Sequence, residues 1–251
     1  MAAYYEGTFD TVANYLAALA AFGADNGWVV SVNTTTKVVM AKAGIEFTSE
    51  YSNATSINRS ITVGGSTSPV LLDQNFSVGY KYGFYSVGNN LYFSREYLYS
   101  VSVTVHWGGV FTVTEKCGTW SGGACLALSY TSSATRIYGL FGSQPYYRSA
   151  LLKDGAWSTA GSAAEAGRLW TSWGQEWGTV WPNYFNAVVV PCPILAGVYD
   201  ANTAYFIPIG MLPGVYTQGR GNVYAAGEQI TINGSTYLFA YNSSNLLFKI
   251  S

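Results

Sequence analysis

Few side chains in this chain could do acid–base chemistry, and their types and spacing decide which reactions are open. One histidine is present, His106, at the end of a run in which Val101, Val103 and Val105 alternate with Ser102 and Thr104. A Ser-His-acid triad needs that imidazole beside an activated serine. No Gly-x-Ser-x-Gly elbow occurs, and Gly142-Ser143-Gln144-Pro145 is not one. A turn or interface role is therefore expected for His106. Paired carboxylates could hydrolyse a glycosidic bond. The acids nearest aromatic residues are Glu96, Glu115, Glu165 and Glu176. Glu176 is the best placed of these, because Trp173 and Trp177 flank it and could stack on a sugar. Cys117, Cys125 and Cys192 are an odd set that argues against a disulfide framework, and with a single histidine they are a poor zinc site. Cys117 and Cys125 could pair across a hairpin, with free thiols the favoured reading. The aspartates are too scattered for a calcium loop, and Gly219-Arg220-Gly221-Asn222 lacks the lysine of a phosphate loop. No catalytic residue, cofactor or metal is expected, and the chain is read as not an enzyme.

The composition points the same way. The 251 residues include 12 basic and 13 acidic side chains, against 21 tyrosines, 12 phenylalanines, 8 tryptophans and 28 glycines. Few groups can move protons near neutral pH, whereas Tyr and Trp give broad contact area. With a formal net charge of −1 and no long basic run, nucleic acid is not expected as a partner. No apolar stretch reaches the roughly 18 residues of a membrane span. Asn186–Gly197 is interrupted by Pro191 and Pro193. The first residues have no basic region ahead of an apolar stretch and do not read as a signal peptide.

These residues must be held by elements whose periods are legible. Phe9, Val12, Leu16, Leu19 and Phe22 recur at spacings of three and four, predicting an amphipathic helix over 8–23 with Thr8 as N-cap. Gly23 and Asn26-Gly27 are expected to end it. That helix could cover its own sheet or pack on a neighbouring subunit, which makes Phe9, Val12, Leu16 and Leu19 candidate contact residues. Trp28–Val32 and Lys37–Met40 around a polar turn predict a hairpin, and Ile45–Phe47 a short strand. Tyr80, Tyr82 and Phe84, then Leu91 and Phe93 beyond Gly88-Asn89-Asn90, predict paired strands. Gly108-Gly109 reads as a turn. Ala124–Tyr130, Arg136–Phe141, Ala187–Val190 and Tyr205–Ile209 are strand-like, with prolines 191, 193, 208 and 213 confining the last two to edges or ends. Gln229–Ile232, Asn233-Gly234 and Thr236–Tyr241, followed by Leu246–Ile250, predict a closing meander.

Between these β regions, Ala160–Trp177 has a helical composition. Trp170, Trp173, Trp177 and Trp181 sit three, four and four residues apart and would share one helix face. That row could be the core of an insertion, an anchor at a subunit interface, or a sugar-stacking platform. The expected architecture is mainly β (α+β): antiparallel β-sandwich or barrel-like sheets, an N-terminal amphipathic helix, and a Trp-rich, partly helical insertion. The expected divisions are 1–47, packing with 186–251; a β-rich centre at 48–142; the insertion at 143–185; and a C-terminal meander at 186–251.

At both ends the chain resembles virion structural proteins of tailed bacteriophages. The N-terminal similarity lies in Tyr5-Glu6-Gly7-Thr8, the Ala-rich helix and Asn26-Gly27-Trp28-Val29-Val30; the C-terminal similarity lies in Gly227 through Phe239. The resemblance covers roughly 70 residues and leaves 48–225 unmatched. It implies a non-enzymatic component of the particle at the tail tip, baseplate or fibre attachment, made in the bacterial cytoplasm. Its partners would be other virion proteins and copies of itself in three- or six-fold rings. The alternative is a carbohydrate- or receptor-binding protein facing the host surface, and the third reading is a glycan hydrolase.

Overall fold

The computed structural model describes residues 3–99, 102–130, 146–160, 192–200, 205–217, 227–239 and 246–251. Among them are one helix and three antiparallel sheets. The chain is mainly β and layered like a sandwich. A seven-stranded sheet runs β1-β8-β9-β10-β11-β12-β13, made of Ala3–Thr8, Lys81–Val87, Asn90–Tyr99, Ser102–Thr112, Gly122–Tyr130, Tyr146–Lys153 and Ala156–Ala160. The six-stranded sheet joins β2 (Val29–Asn33), β3 (Lys37–Lys42), β4 (Ile45–Asn53), β5 (Ser56–Val63) and β6 (Ser66–Thr67), with β7 (Leu71–Gln74) also paired to β5. A five-stranded sheet runs β14-β15-β18-β17-β16, made of Cys192–Asp200, Tyr205–Thr217, Leu246–Lys249, Ser235–Phe239 and Gln229–Ile232.

The seven-stranded sheet is the middle layer, because successive side chains on a strand point to opposite faces. Phe84, Leu91, Phe93, Val110 and Leu126 face a core shared with the helix and the six-stranded sheet. Their neighbours Tyr85, Tyr92, Phe111, Cys125 and Ala127 face a second core shared with Leu212, Val215, Leu238 and Phe248 of the five-stranded sheet. Burial on both faces explains the unbroken apolar runs Leu91-Tyr92-Phe93 and Leu126-Ala127-Leu128. Leu16, Leu19, Trp28 and Met40 of the N-terminal segment lie in the first core, while Tyr4 packs against the second core, which the C-terminal sheet shares with the other face of the middle sheet. Residues 146–160, expected within an insertion, extend the middle sheet as β12 and β13.

Helix α1 covers Val12–Asp25, four residues later than its expected start. Thr11, not Thr8, is the N-cap, and its Oγ1 accepts from the Asn14 N–H at 3.2 Å. Thr8 is the last residue of β1, paired with Lys81. Gly23 lies inside the helix, and the end is a Schellman closure: Trp28 N–H donates to Gly23 O at 2.9 Å and Gly27 N–H to Ala24 O at 3.1 Å, with Gly27 at φ +78°. Tyr15 and Phe22 reach Phe84 of β8, so α1 bridges two sheets.

The expected hairpin β2–β3 and the meander β16–β17–β18 are present, the latter turning at Asn233-Gly234 with φ +50° and +77°. Ile45–Phe47 grows into a full hairpin with β5. Gly108-Gly109 is not a turn but the middle of β10, pressed by rings: a Cβ at Gly108 would run into Phe93 and the Ala127 carbonyl, and one at Gly109 into Tyr92. Gly108→Ala is therefore expected to lower stability by about 1–3 kcal/mol through overpacking, measured as a fall in the urea midpoint. Pro208 and Pro213 lie inside β15 rather than at its ends. The sheet tolerates them because β18 pairs only with Val215–Thr217 and the β14 register shifts around Pro193 and Gly197. Arg136–Phe141 and Ala187–Val190 lie outside the described residues. No described helix is long and apolar enough to cross a membrane.

Candidate functional site

Four segments meet at one end of the six-stranded sheet: the entry to α1 (Phe9–Ala13), the β2–β3 turn (Thr35-Thr36), the β4–β5 turn with Tyr51, Ala54 and Thr55, and the loop Phe76–Val78. They enclose an open groove of about 710 Å³, within the range of roughly 300–1,000 Å³ typical of ligand sites. Local bonds hold each wall. The Thr34 hydroxyl accepts from Lys37 N–H at 2.9 Å and shapes the first turn. Tyr51 N–H donates to Thr36 O at 2.7 Å, tying the two turns together. The Asn53 carboxamide oxygen accepts from Thr55 N–H at 2.9 Å, an Asx-type closure. Phe76 N–H donates to Thr55 O at 3.0 Å, and Gly79 N–H to Phe9 O at 2.8 Å.

Phe9, Val12 and Phe76 are buried and form the floor, with Phe9 and Phe76 rings 5.1 Å apart. Tyr51 and Val78 stand exposed above it, at 44% and 72% of their full surface. They are two of the five large apolar side chains exposed among the described residues, the others being Tyr5, Val29 and Val70. Hydroxyls of Thr11, Thr35, Thr36, Thr55 and Ser77 and the carboxylate of Asp10 complete the lining. The Asp10 carboxyl is held below the usual carboxylate range, first by the Asn14 amide (2.6 Å) and then by Thr11 N–H (2.5 Å).

Directly beneath Phe76 lies a closed ionic cluster. Asp73 (β7) accepts from Arg59 (β5) Nε at 2.9 Å through Oδ2, which also forms an ion pair with Arg59 Nη2 at 2.9 Å, and from Arg95 (β9) Nη2 at 2.6 Å through Oδ1. Arg59 also donates to Ser49 Oγ and to the Tyr15 hydroxyl, each at 2.8 Å. Arg95 donates to the carbonyls of Gln74 and Asn75. The guanidinium of Arg59 sits 4.1 Å from the Phe93 ring centroid and that of Arg95 4.5 Å from Phe76. The cluster carries two positive charges and one negative, all buried, and joins α1, the six-stranded sheet and the middle sheet. Desolvation pushes the Asp73 carboxyl up, but the charges of Arg95 and then Arg59 outweigh it, so its pKa lies below the usual value. Its hydrogen bonds tie α1, the six-stranded sheet and the middle sheet together under the groove floor.

Of the candidate contact residues, Phe9 and Val12 line the groove from below. Leu16 and Leu19 are fully buried in the first core and do not reach it. Trp170, Trp173, Trp177 and Trp181 lie outside the described residues, as do Glu165 and Glu176. Glu96 is buried in β9 and accepts from Lys81 N–H at 3.2 Å, whereas Glu115 is exposed in the loop after β10. His106 lies within β10, its backbone opposite Arg95. Cys117 and Cys125 are free thiols, the first exposed and the second buried, and burial pushes the Cys125 thiol up. No group of three or more His, Cys, Asp or Glu that could hold a metal occurs among the described residues.

Sequence reasoning missed Asp10, Tyr51 and Val78 in the groove and the whole ionic cluster. A signal for the cluster existed. Arg59 shares a strand face with Ile57 and Ile61, Asp73 with Leu71, and Arg95 with Phe93. A charge in an apolar register on a strand is a buried charge that needs a partner. The groove has no such signal, because its lining comes from four separate turns. Neither the protein-family models nor the curated proteins give a significant match to this chain.

Proposed function

We propose that this chain is a non-enzymatic structural component of a tailed-phage virion, placed at the tail tip, baseplate or fibre attachment, where it acts by packing against other proteins. The observation that carries the reading is the groove, with an apolar floor, exposed Tyr51 and Val78, and a hydroxyl rim. An apolar centre inside a polar rim is the anatomy of a protein contact site. Two further features support it. The buried charges Arg59, Asp73 and Arg95 are closed on one another rather than offered to a cleft. The terminal segments that resemble phage virion proteins fold as the α1–β2 unit and the β16–β17 hairpin.

A ring-forming component assembles with itself. Negative-stain electron microscopy of the concentrated, purified chain is expected to show closed rings of three- or six-fold symmetry. Particles of single-chain size at every concentration would count against self-assembly.

A further inference from the structure

We propose that Asn233, at the tip of the β16–β17 hairpin, is a site of spontaneous covalent modification in which the main chain itself is the nucleophile. The Gly234 nitrogen bonds to the Asn233 carboxamide carbon, Nδ2 leaves as ammonia, and the Gly234 N–H proton passes to solvent. Water then opens the resulting succinimide at one or other carbonyl, giving aspartate or isoaspartate at 233. Water is the one co-reactant, so the inference goes beyond the assembly reading and does not depend on it.

Ring closure needs a glycine after the amide, because a Cβ there hinders the approach. It also needs a nitrogen and a carboxamide not held in hydrogen bonds, and access to water. Three places in the chain meet the first condition: Asn26-Gly27, Asn233-Gly234 and, for the equivalent closure on an acid, Asp154-Gly155. The structure blocks two of them. At the end of α1, Asn26 Nδ2 donates to Phe22 O at 2.8 Å and Gly27 N–H to Ala24 O at 3.1 Å, while Asn26 O accepts from Lys42 Nζ at 2.8 Å. Both reacting groups there are fixed. At the β12–β13 turn, Asp154 Oδ2 accepts from Lys153 Nζ at 2.6 Å and Oδ1 from Ser121 N–H at 2.8 Å. These contacts, Lys153 first, hold its carboxyl below the usual carboxylate range, and an ionised carboxylate is a poor electrophile. Asn233-Gly234 has nearly the same turn geometry as Asp154-Gly155, φ +50° and +77° against +52° and +80°, without those bonds. Both residues are exposed, and neither the Asn233 carboxamide nor the Gly234 N–H has a hydrogen-bond partner among the described residues.

The product differs from the parent in charge and in shape. Either product places a carboxylate where a neutral amide stood, adding one negative charge to a chain whose net charge is −1. In isoaspartate the main chain runs through the former side chain, which lengthens a two-residue turn that needs positive φ at both positions. β16 is an outer strand paired with β17 alone, so the loosening is expected in Gln229–Ile232.

The test is peptide mapping by mass spectrometry of the purified full chain, incubated in mildly alkaline buffer made with oxygen-18 water. The folded chain is expected to exchange the amide nitrogen at 233 for one heavy oxygen and to yield both aspartate and isoaspartate. Conversion at 26 should be slower by about tenfold or more, because reaction there waits for the bonded helix end to open. In a urea-unfolded control the two sites should convert at similar rates, which assigns the difference to structure. Hydrogen exchange of the isoaspartyl form should speed up in 229–232 while 12–25 keeps its protection. Conversion at 26 as fast as at 233 in the folded chain would overturn the proposal. So would an Asn233 that stays intact when folded over the time in which the unfolded control converts. Aspartate formed without isoaspartate would also overturn it, since direct hydrolysis bypasses the ring.

Discussion

Asp73→Ala is expected to destabilise the chain by about 3–5 kcal/mol, because it removes the carboxylate that bridges the buried guanidinium groups of Arg59 and Arg95. For an m-value of about 2–3 kcal/mol/M, the urea midpoint falls by about 1–2.5 M. Asp73→Asn keeps the shape and removes only the charge, so a loss nearly as large is expected and separates electrostatics from packing. Replacing all three partners by apolar residues (Arg59→Met, Asp73→Leu, Arg95→Met) should be milder than Asp73→Ala, since no buried charge is then left over. A triple variant weaker than the single one would mean that the cluster stabilises through its intact bonds. The pH dependence has a defined sign. The folded pKa of Asp73 lies below its unfolded value, so its contribution is full above the unfolded value of about 3.9 and is lost as pH falls through the folded pKa. The stability difference between the wild type and Asp73→Asn should accordingly shrink as the solution is acidified below about pH 4.

Phe248→Ala is expected to lower stability by about 3–5 kcal/mol and to do so unevenly. The ring of Phe248 stacks on Tyr85 at 4.0 Å and 13° and tilts against Tyr92 at 5.5 Å. It carries aromatic contact from the five-stranded to the middle sheet, helped by Leu212, Val215 and Leu238 and by the Tyr92 hydroxyl donating to Pro213 O at 2.8 Å. The first core contains none of these residues. Hydrogen exchange should therefore speed up first in 211–216, 229–239 and 247–249, while 12–25 and 45–63 keep their protection. Uniform loss of protection would show that the two cores fold as one cooperative unit.

The parts of the fold legible in the sequence are those with a local period or a local turn. Val12, Leu16 and Leu19 repeat at helical spacing, and Asn233-Gly234 sits between two alternating strands, so α1 and the meander could be read directly. What was lost had a non-local cause. Thr8 and Thr11 are equally good caps, and only the pairing of Thr8 with Lys81 decides between them. Gly108-Gly109 resembles a turn until Phe93 and Tyr92 lie across it. The strand tail of β1, the two-faced burial of the middle sheet and the meeting of Asp10, Tyr51 and Val78 are set by contacts between distant segments. Of the groove itself, Phe9 and Val12, singled out by helical periodicity, lie in its floor, while the residues that give it its charge and its exposed apolar walls carried no pattern.

The central claim is that this chain works by assembling, and the mass of the purified protein in solution, by light scattering coupled to size exclusion, tests it most directly. A closed species of three or six times the 27.0 kDa chain, or a mass that rises with concentration towards it, is expected. A single 27.0 kDa species across the full accessible concentration range would contradict it.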